Sequence, residues 1–178
     1  MGNPMTYCTA SDYLTQFGVG EATMLLQDEQ HRLEQDWLVA LIQNDPSVLA
    51  MLDGVQLAVV DGALARLNQA LTETTRLMNG YLRGAGLALP LTVEQVAQTP
   101  LSTCNAELAR CWLMDDTDNA TDLAEKRCEY WRTWLRDIAA RRVSLLSEQT
   151  DTNPAGTYEV RSGRGLSRFD HDWKGYPV

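Results

Sequence analysis

The amino-acid sequence predicts an all-α protein, a compact helical domain of about five helices around a long central helix, followed by an extended C-terminal arm. Apolar residues recur at helical steps of three and four over most of residues 1–147. The longest of these series predicts the central helix. From residue 148 onwards the helical period is absent. We therefore divide the chain into a helical domain, 1–147, and an arm, 148–178.

Length and composition favour one folded domain. The chain has 178 residues, 44% of them hydrophobic, with five tryptophans, which argues against disorder across most of it. It lacks a run of about 18 apolar residues, so we expect neither a transmembrane helix nor a membrane partner. The first residues lack the basic and apolar regions of a signal peptide, so we expect folding in the cytosol or in a particle assembled there.

The charge is unevenly distributed. The net charge is −9, of which residues 1–155 contribute −10 and residues 156–178 contribute +1. An acidic body repels nucleic acid, so a free-standing DNA-binding domain is disfavoured. Thirteen of the fifteen basic residues are arginine, and this preference favours protein contacts because guanidinium groups pair well with carboxylates at interfaces.

Local signals place the first helices. Thr9 is a candidate N-cap for a short helix that Gly18 and Gly20 end, and a second short helix is predicted from about Glu21 to Leu26. A third helix is predicted over residues 28–46. It stops at Asn44-Asp45-Pro46, because proline disfavours helix at the residue before it.

The central helix has the strongest periodicity and is predicted from about Asp53 to Arg83. Only Thr74 interrupts its apolar series, and Gly84-Ala85-Gly86 ends the helix. The series consists of Leu57, Val60, Leu64, Leu67, Leu71, Met78 and Tyr81. The pattern suits either a coiled coil or a helix at the centre of one small domain. We favour the second interpretation.

Two longer helices follow. One begins at Pro100, and the last runs from about Thr121 to Leu146, with residues 115–119 between them as a solvated acidic turn. Trp131 lies on the apolar stripe of the last helix, and Trp134 widens that face beyond what one neighbouring helix needs. We therefore predict that Trp131 and Trp134 contact a protein partner.

The four cysteines do not form a metal-binding pattern. Cys8, Cys104, Cys111 and Cys128 include no C-x-x-C pair, and neither histidine lies near them in the sequence. A zinc site is therefore not expected. We interpret all four as buried, reduced thiols.

The arm combines arginines with aromatic residues, which disordered tails seldom carry so densely. We predict that its arginines pair with the acidic body of a neighbouring copy rather than with phosphates, and that its aromatic residues anchor it on a partner; docking of the arm back on its own body is the alternative. These interface residues are Arg161, Arg164, Arg168, Phe169, Trp173 and Tyr176.

No catalytic motif, cofactor fingerprint or metal motif is found in the sequence, so we expect a protein that is not an enzyme and uses no cofactor. The pair His31 and Glu34 lies one helical turn apart and is the one candidate for metal-dependent chemistry. Surface helices produce such pairs often, and we favour a structural role for this one.

A series of short motifs extends along the chain. They are Tyr7-Cys8-Thr9, Phe17-Gly18, Asn79-Gly80-Tyr81-Leu82, Leu89-Pro90-Leu91, Arg127-Cys128-Glu129-Tyr130, Trp134-Leu135-Arg136-Asp137-Ile138-Ala139, Arg168-Phe169 and Gly175-Tyr176. Their order and spacing resemble a family of small neck proteins from Mu-like tailed bacteriophages and their prophages. The resemblance covers most of the chain. The segment from His31 to Val55 is longer than the family usually has, and residue 79 is asparagine where aspartate is common.

The resemblance implies a virion structural protein, a head–tail connector or head-completion adaptor. Such proteins form a homo-oligomeric ring, of about twelve copies, under the portal protein and offer a docking surface to a tail or stopper protein. The location implied is the virion neck, after assembly in the host cytoplasm. DNA passes through the ring without specific binding.

Two other hypotheses remain open. A small prophage-encoded helical regulatory protein would bind a single protein partner through the face carrying Trp131 and Trp134, and would form no ring. An enzyme would depend on His31 and Glu34.

Overall fold

The computed structural model describes residues 6–27, 30, 32–115 and 122–146, with the side chains of residues 115 and 122 left out. All regular secondary structure in these ranges is α-helix, which confirms the predicted all-α class and the long central helix. The extended arm predicted over 148–178 lies outside the described residues. The helices are α1 (Ala10–Phe17), α2 (Val19–Leu26), α3 (Gln35–Gln43), α4 (Pro46–Leu49), α5 (Gly54–Gly84), α6 (Val93–Ala97), α7 (Leu101–Asp115) and α8 (Asp122–Ala139).

Helices α5, α7 and α8 pack against one another and form the centre of the domain. Helix α5 has 31 residues, so it is about 45 Å long. Helix α7 runs antiparallel to α5, and α8 runs parallel to it. Helices α1 to α3 pack around the first half of α5, and α6 packs on α7. None of the described helices combines the length and apolar character needed to cross a membrane.

Capping boxes fix three of the helix starts. Thr9 caps α1 through the backbone N–H of Asp12, whose carboxylate accepts in return from the Thr9 N–H. Asp53 with Gln56, and Thr92 with Gln95, do the same for α5 and α6. These reciprocal bonds satisfy backbone donors that a helix start otherwise leaves unpaired.

Three predicted boundaries were wrong. Gly20 lies inside α2 and does not end α1. The chain turns at Gly18, whose φ is +82°. The third helix begins at Gln35 instead of residue 28, and the described residues 32–34 are not helical. The last helix ends at Ala139 instead of Leu146.

The end of α8 has a clear backbone cause. Arg141 adopts a left-handed conformation with φ of 57°. The N–H of Arg142 then donates to the carbonyl of Asp137, and the N–H of Arg141 donates to that of Ile138. Such bonds close a helix by satisfying its last carbonyls.

The interior contains two apolar clusters with a polar layer between them. The first cluster includes Leu67 and Leu71 of α5 together with Ala109 and Leu113 of α7. The second includes Met78 and Leu82 of α5 with residues of α7 and α8, namely Leu101, Cys104, Leu135 and Ile138. The polar layer consists of Thr74, Thr75 and Asn105, all of them buried.

Asn105 joins three segments in this layer and is fully buried. Its Nδ2 donates to the Thr74 hydroxyl at 2.7 Å and to the Leu71 carbonyl at 3.2 Å. Its Oδ1 accepts from the backbone N–H of Cys8 at 3.0 Å. One side chain therefore ties α7 to α5 and to the segment before α1.

The interpretation of four reduced thiols was wrong for two of them. Cys111 of α7 and Cys128 of α8 form a disulfide, with a Cα–Cα distance of 6.1 Å and a sequence separation of 17 residues. Periodicity placed each sulfur on an inner face, but it does not reveal that the two inner faces meet. Cys8 and Cys104 are free and buried, as predicted.

Replacing Asn105 tests the polar layer. Asn105→Ala leaves the Cys8 N–H and the Thr74 hydroxyl without this partner, so we expect a loss of about 3 kcal/mol in the free energy of unfolding. Urea denaturation followed by circular dichroism measures it. The matched control is Thr103→Ala, an exposed position on the same helix, which should change stability by less than about 0.5 kcal/mol. Equal effects of the two variants would contradict the role of Asn105.

Reduction tests the disulfide. A cross-link closing a loop of this size contributes about 3 kcal/mol, so dithiothreitol or Cys111→Ser should lower the free energy of unfolding by about that amount. Burial raises the pKa of the Cys8 and Cys104 thiols to about 12, so both stay protonated at neutral pH. Iodoacetamide should therefore modify neither thiol in the native protein and two after unfolding without reductant. Four modified thiols under that second condition would exclude the disulfide.

Candidate functional site

The described residues contain no group of three or more His, Cys, Asp or Glu side chains placed to hold a metal ion. His31 lies outside the described residues, so its pairing with Glu34 stays a hypothesis. Two surface features stand out in the described residues, a groove and a row of aromatic side chains.

The first surface, the α6 groove, lies between the segment before α1 and helix α6 and has a volume of about 340 Å³. The Tyr7 hydroxyl donates to Oδ1 of Asn79 across it. Burial raises the pKa of Tyr7, which keeps the hydroxyl protonated and able to donate. Apolar side chains form much of the rest of the lining, namely Pro90, Leu91, Val93 and Val96.

The α6 groove brings together segments that are far apart in the sequence. Tyr7, Asn79 and the Leu89-Pro90-Leu91 turn belong to three of the motifs that carry the family resemblance. In the structure they line, or lie directly beside, one concave surface. The Tyr7–Asn79 hydrogen bond spans 72 residues, which explains why inspection of the sequence alone did not connect them.

The second surface is the aromatic ridge of α8, formed by Tyr130, Trp131 and Trp134. The rings of Tyr130 and Trp131 meet edge to face with centroids 5.2 Å apart, and those of Trp131 and Trp134 do so at 5.4 Å. Both tryptophans are half-buried and pack on the second apolar cluster. Tyr130 is 62% exposed, and Leu123, seven residues earlier on the same helical face, is 65% exposed.

The ridge therefore has an inner part and an outer part. Trp131 and Trp134 pack against the core and are also partly exposed, whereas Tyr130 and Leu123 are exposed apolar side chains. The sequence predicts a contact surface at the two tryptophans, which stays a prediction, and that prediction did not include Tyr130. The helical step of seven from Leu123 to Tyr130 was the available signal for it.

A charged cluster fastens the first two helices to α7. Arg110 pairs with Glu21 of α2, and its guanidinium lies 5.2 Å from the ring centroid of Phe17 in α1. Glu107 lies 3.9 Å from Arg110 and 3.8 Å from Arg127 of α8. Burial, together with the Glu21 carboxylate, raises the pKa of Tyr13 beside this cluster. These contacts join helices.

The predicted arm residues Arg161, Arg164, Arg168, Phe169, Trp173 and Tyr176 all lie outside the described residues. The structure therefore places two of the eight predicted interface residues, Trp131 and Trp134, and brings them into contact. The interface role of all eight stays a prediction.

In its described residues the protein is a small helical domain with apolar surfaces outside its core. Residues 7–162 match the family model described as Bacteriophage Mu, Gp36. The chain belongs to this family, which confirms the resemblance and makes it a phage protein of the Mu-like kind. The search of curated proteins found no match. The search of solved structures found none either.

The two parts of the ridge should differ in their effect on stability. Trp134→Ala removes a half-buried ring from the second apolar cluster and should lower the free energy of unfolding by about 2 kcal/mol. Tyr130→Ala removes an exposed ring and should change it by less than about 0.5 kcal/mol. Thermal and urea denaturation measure both variants. A large effect of Tyr130→Ala would show that this ring supports the fold and is not available to a partner.

Proposed function

We propose that this protein is a virion structural protein that connects head and tail, forming a ring between the portal protein and a tail or stopper protein. Family membership over residues 7–162 is the observation that carries the proposal. A ring requires each copy to present contact surfaces to its neighbours, and the α6 groove and the aromatic ridge are apolar surfaces of that kind.

The charge of the protein suits a channel for DNA. Residues 1–155 carry a net charge of −10, and a surface of that sign repels the phosphate backbone. In this role DNA passes through the ring without being held. The protein acts by assembly and carries no active site.

The aromatic ridge is the surface that we assign to the portal or to the neighbouring copy. Its exposed member Tyr130 and the exposed Leu123 lie on one face of α8, and the edge-to-face packing of the tryptophans holds the ridge rigid. Rigid aromatic groups lose little conformational entropy on binding, which is why they dominate the energetics of many interfaces.

Negative-stain imaging of the purified chain, alone and mixed with its cognate portal protein, tests this function. We expect rings on the portal, and we expect Tyr130→Asp with Leu123→Asp to weaken portal binding at least tenfold while circular dichroism stays unchanged. Leu77→Asp, at an exposed apolar position on α5, is the matched control and should bind normally.

Absence of both rings and portal binding would contradict the connector role. A one-to-one complex with a single protein, lost in the same double variant, would instead support the regulatory hypothesis.

A further inference from the structure

A third surface, the α3–α4 groove, lies between α3, α4 and the first turn of α5. It has a volume of about 540 Å³, and its apolar lining includes Trp37, Val48, Met51 and Leu52. A neighbouring pocket of about 330 Å³ shares Glu34, Trp37 and Gln56 with it and extends the surface to Val55.

Apolar side chains are unusually exposed here. Met51 is 76% exposed and Val55 is 58% exposed, and both border the groove system formed around Trp37. Single exposed apolar residues are common on any protein, but several around one concavity mark an interaction surface.

Carboxylates surround this apolar floor. Glu34, Asp36 and Asp45 line the groove, and the neighbouring pocket adds one basic residue, Arg32, so carboxylates predominate on this surface. The hydroxyl and backbone N–H of Ser47 donate to Asp45 and hold the pKa of its carboxyl below the ordinary value, so this carboxylate is ionised at neutral pH. The surface therefore suits a ligand that combines positive charge with large apolar side chains.

The chain itself contains such a segment. Residues 161–176 include three arginines and three large aromatic residues, in the part of the sequence whose net charge is opposite in sign to that of the body. Arginine pairs with carboxylates through several donors, and aromatic side chains fill apolar pockets.

Helix α8, the last helix described, ends far from this groove. The end of α8 lies beside the end of α5, since a Cβ at Gly84 would be 3.7 Å from Cβ of Ala139. The groove instead lies at the first turn of α5, by Gln56. The two points are separated along α5 by about 40 Å, at about 1.5 Å per residue.

We propose that the α3–α4 groove binds the segment 161–176 of a second copy of this chain. The arginines of that segment pair with the carboxylates at the rim, and its aromatic side chains occupy the apolar floor. The proposal rests on the proposed function, because it names the contact by which neighbouring copies of the ring hold one another.

Distance favours a second copy over the same chain. From Leu146 to Arg161 the backbone spans at most about 50 Å when fully extended, so a chain would reach its own groove only by running almost straight along the domain. An arm that binds the groove of the next copy does not have to run straight along its own domain. The contact also joins two different surfaces, so repeating it builds a ring or a filament.

A charge-swap experiment with full-length chains tests the contact. One variant reverses the groove (Glu34→Lys, Asp36→Lys) and the other reverses the arm (Arg161→Glu, Arg164→Glu, Arg168→Glu). Sedimentation velocity should show each variant associating at least tenfold more weakly than the wild type, whose own association should weaken with added sodium chloride. An equimolar mixture of the two variants should regain association, because the acidic arm then meets the basic groove.

The matched control is Asp61→Lys with Glu125→Lys, which changes the net charge as the groove variant does at exposed positions outside the groove. It should associate like the wild type. Wild-type association in the groove variant, or a mixture that stays monomeric, would overturn the proposal. So would a wild-type chain that stays monomeric at every concentration.

The outcomes separate this inference from the connector role. Rings on the portal that are insensitive to both reversals would leave the connector role standing and reject the groove contact. Restored pairing in the mixture without any portal binding would support the groove contact and reject the connector role.

Discussion

The hydrogen bonds of Asn105 fix how the rest of the domain is arranged. A fully buried amide requires its partners, and here they are the Thr74 hydroxyl, the Leu71 carbonyl and the Cys8 N–H. Sliding α7 along α5 by one turn would leave the amide unpaired in an apolar interior, which costs more than any single apolar contact gains. The polar layer therefore sets the register of the two helices and anchors the segment before α1.

That register determines where the surfaces lie. The Cys111–Cys128 disulfide holds α8 to α7. Because the polar layer positions α7 on α5, it also determines where the aromatic ridge of α8 lies. The anchored Cys8 places Tyr7 against Asn79 and so shapes the α6 groove. The long, uninterrupted α5 keeps the α3–α4 groove and the exit of the chain at opposite ends. A domain whose two ends differ in this way is suited to contacts that join unlike surfaces of neighbouring copies.

Much of the fold follows from local sequence signals. The central helix begins and ends within a residue of its prediction, because the Asp53 cap and the apolar period are both local. The break in that period at Thr74 was visible too, but its meaning required Asn105, which is 31 residues away in the sequence and hidden beside Cys104 on an apolar face. The same limit applies to the disulfide, to the Tyr7–Asn79 bond and to the α3–α4 groove, since each depends on which helices meet. The wide apolar face of the last helix singled out Trp131 and Trp134, whose interface role stays a prediction, whereas the early end of α8 depended on the left-handed backbone at Arg141.

In the proposed assembly, neighbouring copies hold one another through the arm of one and the α3–α4 groove of the next. Zero-length carbodiimide cross-linking of an equal mixture of ¹⁴N- and ¹⁵N-labelled chains tests it directly, because the sequence contains only two lysines, Lys126 and Lys174. We expect cross-linked peptides that join Lys174 to Glu34 or Asp36, with mixed isotope labels that prove the link is between chains. Links of Lys174 to these carboxylates within one chain alone, or to carboxylates elsewhere in the domain, would contradict it.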